Sequence, residues 1–438
     1  MRFINPFVMI ICSFAASILI GAGALMLPIA MVTGERTAFL DALFTATSAT
    51  TVTGLTVKDT GAYWSTFGHV VILLLVQLGG LGYMTVMSIG FAAAGQLGLR
   101  SSMLLKEQLN LFNLSDLLSF AKRVWWTVCV FEVVGALLLF VLFVPSQGVI
   151  RSAGLGLFHS ISAFNNAGFD LFGKGQSMTD QHPLILAVIM ILIFFGGIGF
   201  AVMNDVIAWV KREHRQASVQ TKIVLTTSCA LIVAGALVLF TVEYSNPDTL
   251  GALSLGGKVM AALFQSVSAR TAGFNSIPIS GLHISSLVFL SFLMFVGASP
   301  GGTGGGVKTS TFAVAVGAIW TAIRGRQDVE FFNRRVSSDT VKRAFVIICL
   351  GLAVIFCSSF VIASLEQLRY VEVLFESTSA FGVVGLSTGI TSSLGTVSKL
   401  VIVGVMFVGR VSPLVLLTAL FARKYAAVRL PEEQLSVG

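Results

Sequence analysis

Long apolar runs separated by short polar connectors organise this chain. Eight runs reach the roughly 20 residues that a helix needs to cross a bilayer. They lie at about 7–31, 67–94, 123–144, 183–210, 223–243, 284–323 (interrupted), 343–365 and 397–422. The runs fall into four pairs, and a connector of about 31–40 residues joins the members of each pair. Every one of these connectors holds a variant of one stretch: ALFTATSATTVTGL at 42–55, GLFHSISAFNNAGF at 156–169, ALFQSVSARTAGF at 262–274 and VLFESTSAFGVVGL at 373–386. Their glycines, Gly54, Gly168, Gly273 and Gly385, are spaced by 114, 105 and 112 residues. A repeat of that length predicts four copies of one structural unit.

The pattern predicts an all-α integral membrane protein. Each unit reads outer helix, half-helix, pore loop, inner helix, and the four are arranged pseudo-fourfold about a central pore. The units are placed at 1–100 (pore loop 39–56), 101–215 (pore loop 152–170), 216–330 (pore loop 257–275) and 331–438 (pore loop 370–387, then a C-terminal tail). Half-helices are expected at 39–49, 152–163, 257–268 and 370–380, with their negative C-terminal dipole ends toward the cavity, which favours a cation. The first apolar run is too long for a secretory signal and is read as a mature helix.

Composition supports this class. Hydrophobic residues are 55% of the chain and charged residues 11%, outside the range of an ordinary soluble protein. The net charge of +8 is concentrated in connectors, so it argues for topology and not for nucleic acid. The connectors between units, their immediate flanks, the tail and Arg2 carry 18 of the 28 Lys and Arg. By the positive-inside rule both termini are cytoplasmic and the glycine loops face outward. Pairs such as Arg334-Arg335 and Lys342-Arg343 suit lipid headgroups or a cytoplasmic partner. All five cysteines sit in apolar runs and are read as small buried hydrophobes, with no disulfide or metal spacing. No Ser-His-Asp, Cys-His or paired-carboxylate arrangement stands out, so an enzyme is not expected.

The glycine loops carry the chemistry. Irregular backbone at membrane depth is tolerated only when buried in protein or lining a wet cavity. Four such loops on one axis present carbonyl oxygens that can replace the hydration shell of a monovalent cation. The expected lining pairs are Thr53 and Gly54, Ala167 and Gly168, Ala272 and Gly273, Val384 and Gly385. Phe44, Phe158 and Phe375 precede their glycines by ten residues but Phe264 by nine, so the ring is not fourfold exact. Arg270, beside the third loop, is expected to point behind the ring, with Glu376 or another carboxylate as partner.

The sixth run is broken at 298–310, where Pro300 is followed by Gly301, Gly302, Thr303, Gly304, Gly305 and Gly306, then Val307 and Lys308. The stretch is superficially similar to a phosphate-binding loop, but Val307 separates Gly306 from Lys308 and no soluble strand precedes it. Gly79-Gly80-Leu81-Gly82, Gly196-Gly197-Ile198-Gly199 and Gly301-Gly302-Thr303-Gly304 begin 25, 28 and 28 residues after their loop glycines. Gly409-Arg410 falls at the same level in the fourth unit. This glycine-rich waist predicts a gate, in which the 301–306 loop blocks the path and Arg410 adds an electrostatic barrier. Among weaker candidates, Glu132 suits an internal hydrogen bond or ion pair. His159 suits a packed neutral histidine. Asp170 suits either a cation-attracting mouth or a turn cap.

With these residues in view, the chain resembles the Trk/Ktr/HKT superfamily of potassium transporters. The resemblance rests on TTVTGL at 50–55, NNAGF at 165–169, RTAGF at 270–274 and GVVGL at 382–386, and it implies an intramembrane loop in the third inner helix and an arginine in the fourth. Because the first unit begins at once, the chain looks like the Ktr-type translocating membrane subunit. The resemblance implies channel-like potassium uptake across the bacterial plasma membrane, with Gly54 implying potassium preference. A sodium transporter or sodium-dependent potassium symporter on the same scaffold is the alternative. It also implies a homodimer and a cytoplasmic nucleotide-binding regulatory ring acting on the gate. No cofactor is expected in this chain; ATP, ADP or NAD would sit only on that partner.

Overall fold

The computed structural model describes residues 6–94, 115–172, 182–212 and 216–413. Among these the chain is helical, apart from a two-stranded hairpin in which Glu330–Phe331 pairs antiparallel with Arg334–Arg335. The order outer helix, half-helix, glycine loop, inner helix recurs four times. The helices before each loop are Pro6–Leu25, Ser115–Gln147, Val219–Glu243 and Ser338–Leu365. The half-helices are Phe39–Thr51, Val149–Phe164, Leu255–Ser268 and Tyr370–Gly382, each within a turn of its expected bounds. Among the described residues, three helices are by themselves long and apolar enough to cross a membrane: Ala121–Gln147, Val219–Glu243 and Ser338–Leu365.

Local chemistry sets where several of these helices begin. Ser218, Ser254 and Ser337 are N-caps whose hydroxyls accept from Thr221, Gly257 and Thr340 N–H groups. Burial then runs opposite to that of a soluble protein. Apolar side chains such as Ile20, Trp126, Phe356 and Phe360 are exposed on the outer helices, where lipid replaces water as solvent. Hydroxyl residues such as Thr47, Ser48, Ser162, Ser268 and Ser379 are buried on the half-helices. These five each take part in a hydrogen bond, which offsets the cost of burying a polar group.

Two expectations need correction. The second inner helix is not continuous over 183–210: it divides into Pro183–Gly197 and Phe200–Val210, bent by 100°. Gly199 sits at the corner with φ 92°. The cysteines are not buried: Cys12, Cys229, Cys349 and Cys357 are exposed on the outer surface, as apolar side chains toward lipid. The third inner helix is interrupted as expected, ending at Phe295 and resuming at Thr309. The fourth is helical to Val411, and Ser412 leaves it with φ 79°. Residues 1–5, most of the 95–122 connector and the tail from 414 lie outside the described residues, whereas the basic 324–342 connector lies within them.

Candidate ion pathway

The four glycine loops close into a ring. A Cβ placed on Gly54 would lie 2.6 Å from the Ala167 oxygen, and one on Gly168 would lie 2.9 Å from the Ala272 oxygen. The same construction brings Gly273 against the Val384 oxygen and Gly385 against the Thr53 oxygen. Each quadrant thus touches the next, and the fourth returns to the first. The glycines have φ of 90°, 70°, 77° and 93°, a region where a side chain is strained even without a neighbour.

A recurring serine orients the loops. Ser48 carbonyl accepts from Thr53 N–H (2.7 Å), and its hydroxyl accepts from Gly54 N–H (3.0 Å). Ser379 does the same for Val384 (2.9 Å) and Gly385 (3.1 Å). Ser162 carbonyl holds Ala167 N–H, and Ser268 carbonyl holds both Ala272 and Gly273 N–H groups. These amides point back into the protein. In a trans peptide the carbonyl lies opposite the N–H, so the preceding carbonyls of Val52, Asn166, Thr271 and Val383 face the axis. The Thr53, Ala272 and Val384 carbonyls follow by the same rule.

This geometry adds residues that the sequence reading missed. Val52, Asn166, Thr271 and Val383 all adopt positive φ, at 62°, 56°, 78° and 57°. For β-branched Val and Thr this is a costly conformation, of order 1–3 kcal/mol each. Residue type gives no hint of it; the only signal is position, two before each glycine. The four serines were visible as part of the repeat, five or six residues before the glycine, but had no assigned role.

A cavity of about 960 Å³ opens on the ring and is lined by all four glycines together with Lys58, Asp59, Asp170 and Ser387. Asp170 lines this cavity, and its carboxylate accepts from Phe172 N–H at 3.2 Å, the turn-capping contact expected of it. Burial pushes its carboxyl up to about 6, the Phe172 hydrogen bond opposes the rise, and nearby Asp59 adds to it. His159 donates from Nδ1 to the Leu155 carbonyl (2.8 Å) and accepts at Nε2 from Leu171 N–H (3.4 Å), so it is a packed neutral imidazole.

On the other side of the ring, the 298–309 segment touches the second, third and fourth quadrants and is tied to the first through Arg410. Ser299 and Thr303 N–H groups donate to Gly197 and Gly196 carbonyls at 2.9 and 3.1 Å, while Phe200 N–H donates to Gly301 carbonyl at 3.1 Å. These are the groups freed by the break in the second inner helix, so two broken helices satisfy each other. Gly304 and Gly305 press against Thr271 and Val383 of the ring. Arg410 donates to Thr303 carbonyl and, across the pathway, to Gly79 carbonyl of the first inner helix. Lys308 donates to Gly304 carbonyl at 2.7 Å, close enough to Arg410 for the two charges to repel. The structure therefore brings Gly301–Gly306, Lys308 and Arg410 together.

The glycine waist is not uniform. Gly79-Gly80-Leu81-Gly82 stays within the continuous helix Thr66–Ala94. Gly79, Gly196 and Gly409 each abut the carbonyl that ends their own half-helix, from Thr50, Phe164 and Phe381, with no room for a Cβ. Here glycine serves close backbone packing. Arg270 does turn behind the ring, but Glu376 is not its partner. Arg270 donates to Ser228 and Gly297 carbonyls (3.3 and 3.4 Å). Glu376 instead accepts from Ser387 and Thr391 hydroxyls. Glu132 accepts from Gln77 (3.2 Å) and Asn165 (2.8 Å), the internal hydrogen bonding expected of it.

Fold and site together define a multi-pass, all-helical membrane protein with a backbone-lined ring on its axis. The chain belongs to the TrkH family of cation transport proteins, whose family model matches residues 1–426. It is 37% identical to the Ktr system potassium uptake protein B of Bacillus subtilis, over 100% of this chain and 97% of the relative. Identity is 38% to the protein of the same name from Vibrio alginolyticus, covering 98% and 94%. The potassium/sodium uptake protein NtpJ of Enterococcus hirae is 32% identical, covering 99% and 98%. The crystal structure of the potassium transporter TrkH from Vibrio parahaemolyticus superposes with a TM-score of 0.73 at 16% identity, over 96% of this chain and 86% of that one, a likeness of fold.

Proposed function

We propose that this chain is the translocating subunit of a potassium uptake system of the plasma membrane, with Thr53, Gly54, Ala167, Gly168, Ala272, Gly273, Val384 and Gly385 in its selectivity filter. The observation that carries the reading is the closed ring of inward carbonyls, each quadrant held by its own serine. Such oxygens substitute for the hydration shell of a dehydrated monovalent cation. With the cytoplasm negative, inward flux of one charge gains about 2.3 kcal/mol per 100 mV, so no energy source is needed in this chain. The proposal is tested by expressing the chain in a potassium-uptake-deficient bacterium and measuring rubidium and sodium uptake. Rubidium uptake well above sodium is the expected result; equal fluxes sink potassium selectivity.

Under the same reading, Gly301–Gly306 and Lys308 form the gate with Arg410. The loop lies under the ring against its second, third and fourth quadrants; Lys308 and Arg410 donate to its Gly304 and Thr303 carbonyls, and Arg410 also donates to Gly79 carbonyl of the first. Opening requires the loop to leave the Gly196 and Gly197 carbonyls. A cytoplasmic nucleotide-binding ring is the regulator we propose, carrying ATP, ADP or NAD, and acting on a homodimer whose termini face the cytoplasm. The basic hairpin at Arg334-Arg335 and the tail supply contact surfaces. A second reading, sodium-coupled or sodium-conducting transport, is favoured by the resemblance to a potassium/sodium uptake protein. Stimulation of rubidium uptake by external sodium decides for it.

A further inference from the structure

Arg270 is a buried cation without a counter-charge among the described residues. The residue is 8% exposed, and its guanidinium meets two neutral carbonyls, both at long range. The buried carboxylates of the described residues are occupied elsewhere. Glu132 is held by amides, Glu376 by hydroxyls, and Glu243 by Ser286, Asn246, Thr249 and the His283 N–H. Two buried polar atoms beside Arg270 also lack partners: its own Nε and the Ser228 hydroxyl. Both residues line a cavity of about 20 Å³, whose other walls include Ile193, Phe194, Ile232 and Val267.

A space of that size holds one small species, since a single water needs about 10–15 Å³ by the same measure. Both unpartnered atoms are able to donate, and the nearest carbonyls are already engaged. The apolar walls deny the guanidinium the solvation that would make an uncompensated charge tolerable. A water would satisfy the donors but leave the charge. An acceptor that also carries one negative charge satisfies both needs, and the volume limits it to monatomic size. We infer that this cavity, behind the third quadrant of the ring, is a binding site for a halide-sized monovalent anion that serves as the counter-ion of Arg270.

The site has a mechanical consequence. Arg270 directly precedes Thr271, and its side chain also holds Gly297 at the root of the 298–309 segment. An anion that fixes the guanidinium therefore fixes the third quadrant and the base of that segment together. The inference does not depend on which cation passes through the ring.

The test uses the full chain in detergent, with chloride exchanged for bromide. Anomalous diffraction at the bromine edge is expected to show a peak within hydrogen-bond distance of Arg270 Nε and Ser228 Oγ. Thermal unfolding at fixed ionic strength should give a higher midpoint in chloride or bromide than in gluconate, which is too large to enter. Ser228→Ala keeps the guanidinium and the fold while removing one donor, and should abolish the peak and at least halve the halide-dependent shift. Absence of bromide density at saturating concentration, density for water alone, or a midpoint indifferent to the anion would overturn the proposal.

Discussion

The sharpest test of the ring is Gly54→Ser. Its added Cβ must adopt φ 90° and would stand 2.6 Å from the Ala167 oxygen and 2.9 Å from Gly168 Cα. Ordinary contact begins near 3.4 Å, so an adjustment of about 0.8 Å is required at the oxygen. Both obstacles are backbone atoms of the next quadrant, and no flexible side chain is available to yield. Overpacking of this kind costs about 1–3 kcal/mol, and the left-handed backbone adds about 1–2 kcal/mol. A displacement of the ring that changes the potassium–sodium difference by even about 1.4 kcal/mol alters selectivity tenfold. The potassium-to-sodium permeability ratio should therefore fall about ten- to hundredfold, read from reversal potentials under bi-ionic conditions. Gly389→Ser is the control. Gly389 has φ 99° but nothing within 4 Å of where its Cβ would stand, so it carries the strain without touching the ring. A Gly54→Ser ratio within about twofold of wild type, at normal membrane abundance, refutes the reasoning.

Deleting 301–306, or changing Arg410→Ala, should raise initial rubidium uptake several-fold, measured per protein in the membrane; unchanged or lower velocity argues against the gate. Asp170, with its carboxyl raised to about 6, is ionised at pH 7.5 and mostly neutral at pH 5. Rubidium uptake at low ionic strength should decline as external pH falls through 6, and Asp170→Asn should be slow and flat across that range; a wild-type pH profile in that variant contradicts the assignment. Gly196→Ala pushes a methyl into the Phe164 carbonyl and should lower the thermal midpoint markedly or prevent folding. Gly23→Ala, with open space around it, should be neutral or gain up to about 1 kcal/mol from helix propensity; equal effects at the two sites, by thermal unfolding, would discredit the packing account.

The ring was legible in the sequence because its requirements are local. A backbone that turns its carbonyls inward needs glycine at one position and a serine five or six residues earlier, and both recur in four copies. The αL residues Val52, Asn166, Thr271 and Val383 were not legible. In each, the serine carbonyl holds the amide that follows, a tertiary constraint that residue type does not announce. The expected Arg270–Glu376 pair failed for a similar reason. Charge suggested it, but Ser387 and Thr391 satisfy Glu376 locally, while Arg270 turns toward the outer helix and Ser228.

The inner helices mark the boundary most clearly. Gly79-Gly80-Leu81-Gly82 and Gly196-Gly197-Ile198-Gly199 have the same pattern, yet the first stays helical and the second bends by 100°. No proline or polar residue in either distinguishes them. The difference lies in a neighbour about one hundred residues further along the chain. The 298–309 segment supplies donors for Gly196 and Gly197 carbonyls and an acceptor for Phe200 N–H, whereas at Gly79 the corresponding partner is the Arg410 side chain. In a membrane interior an opened helix turn survives only where other protein groups take up its freed carbonyls and amides. Sequence alone therefore determined that this chain is a fourfold helical pathway with glycine at its narrowest points. Which glycines open the helix and which merely pack it was decided by what the folded chain places beside them.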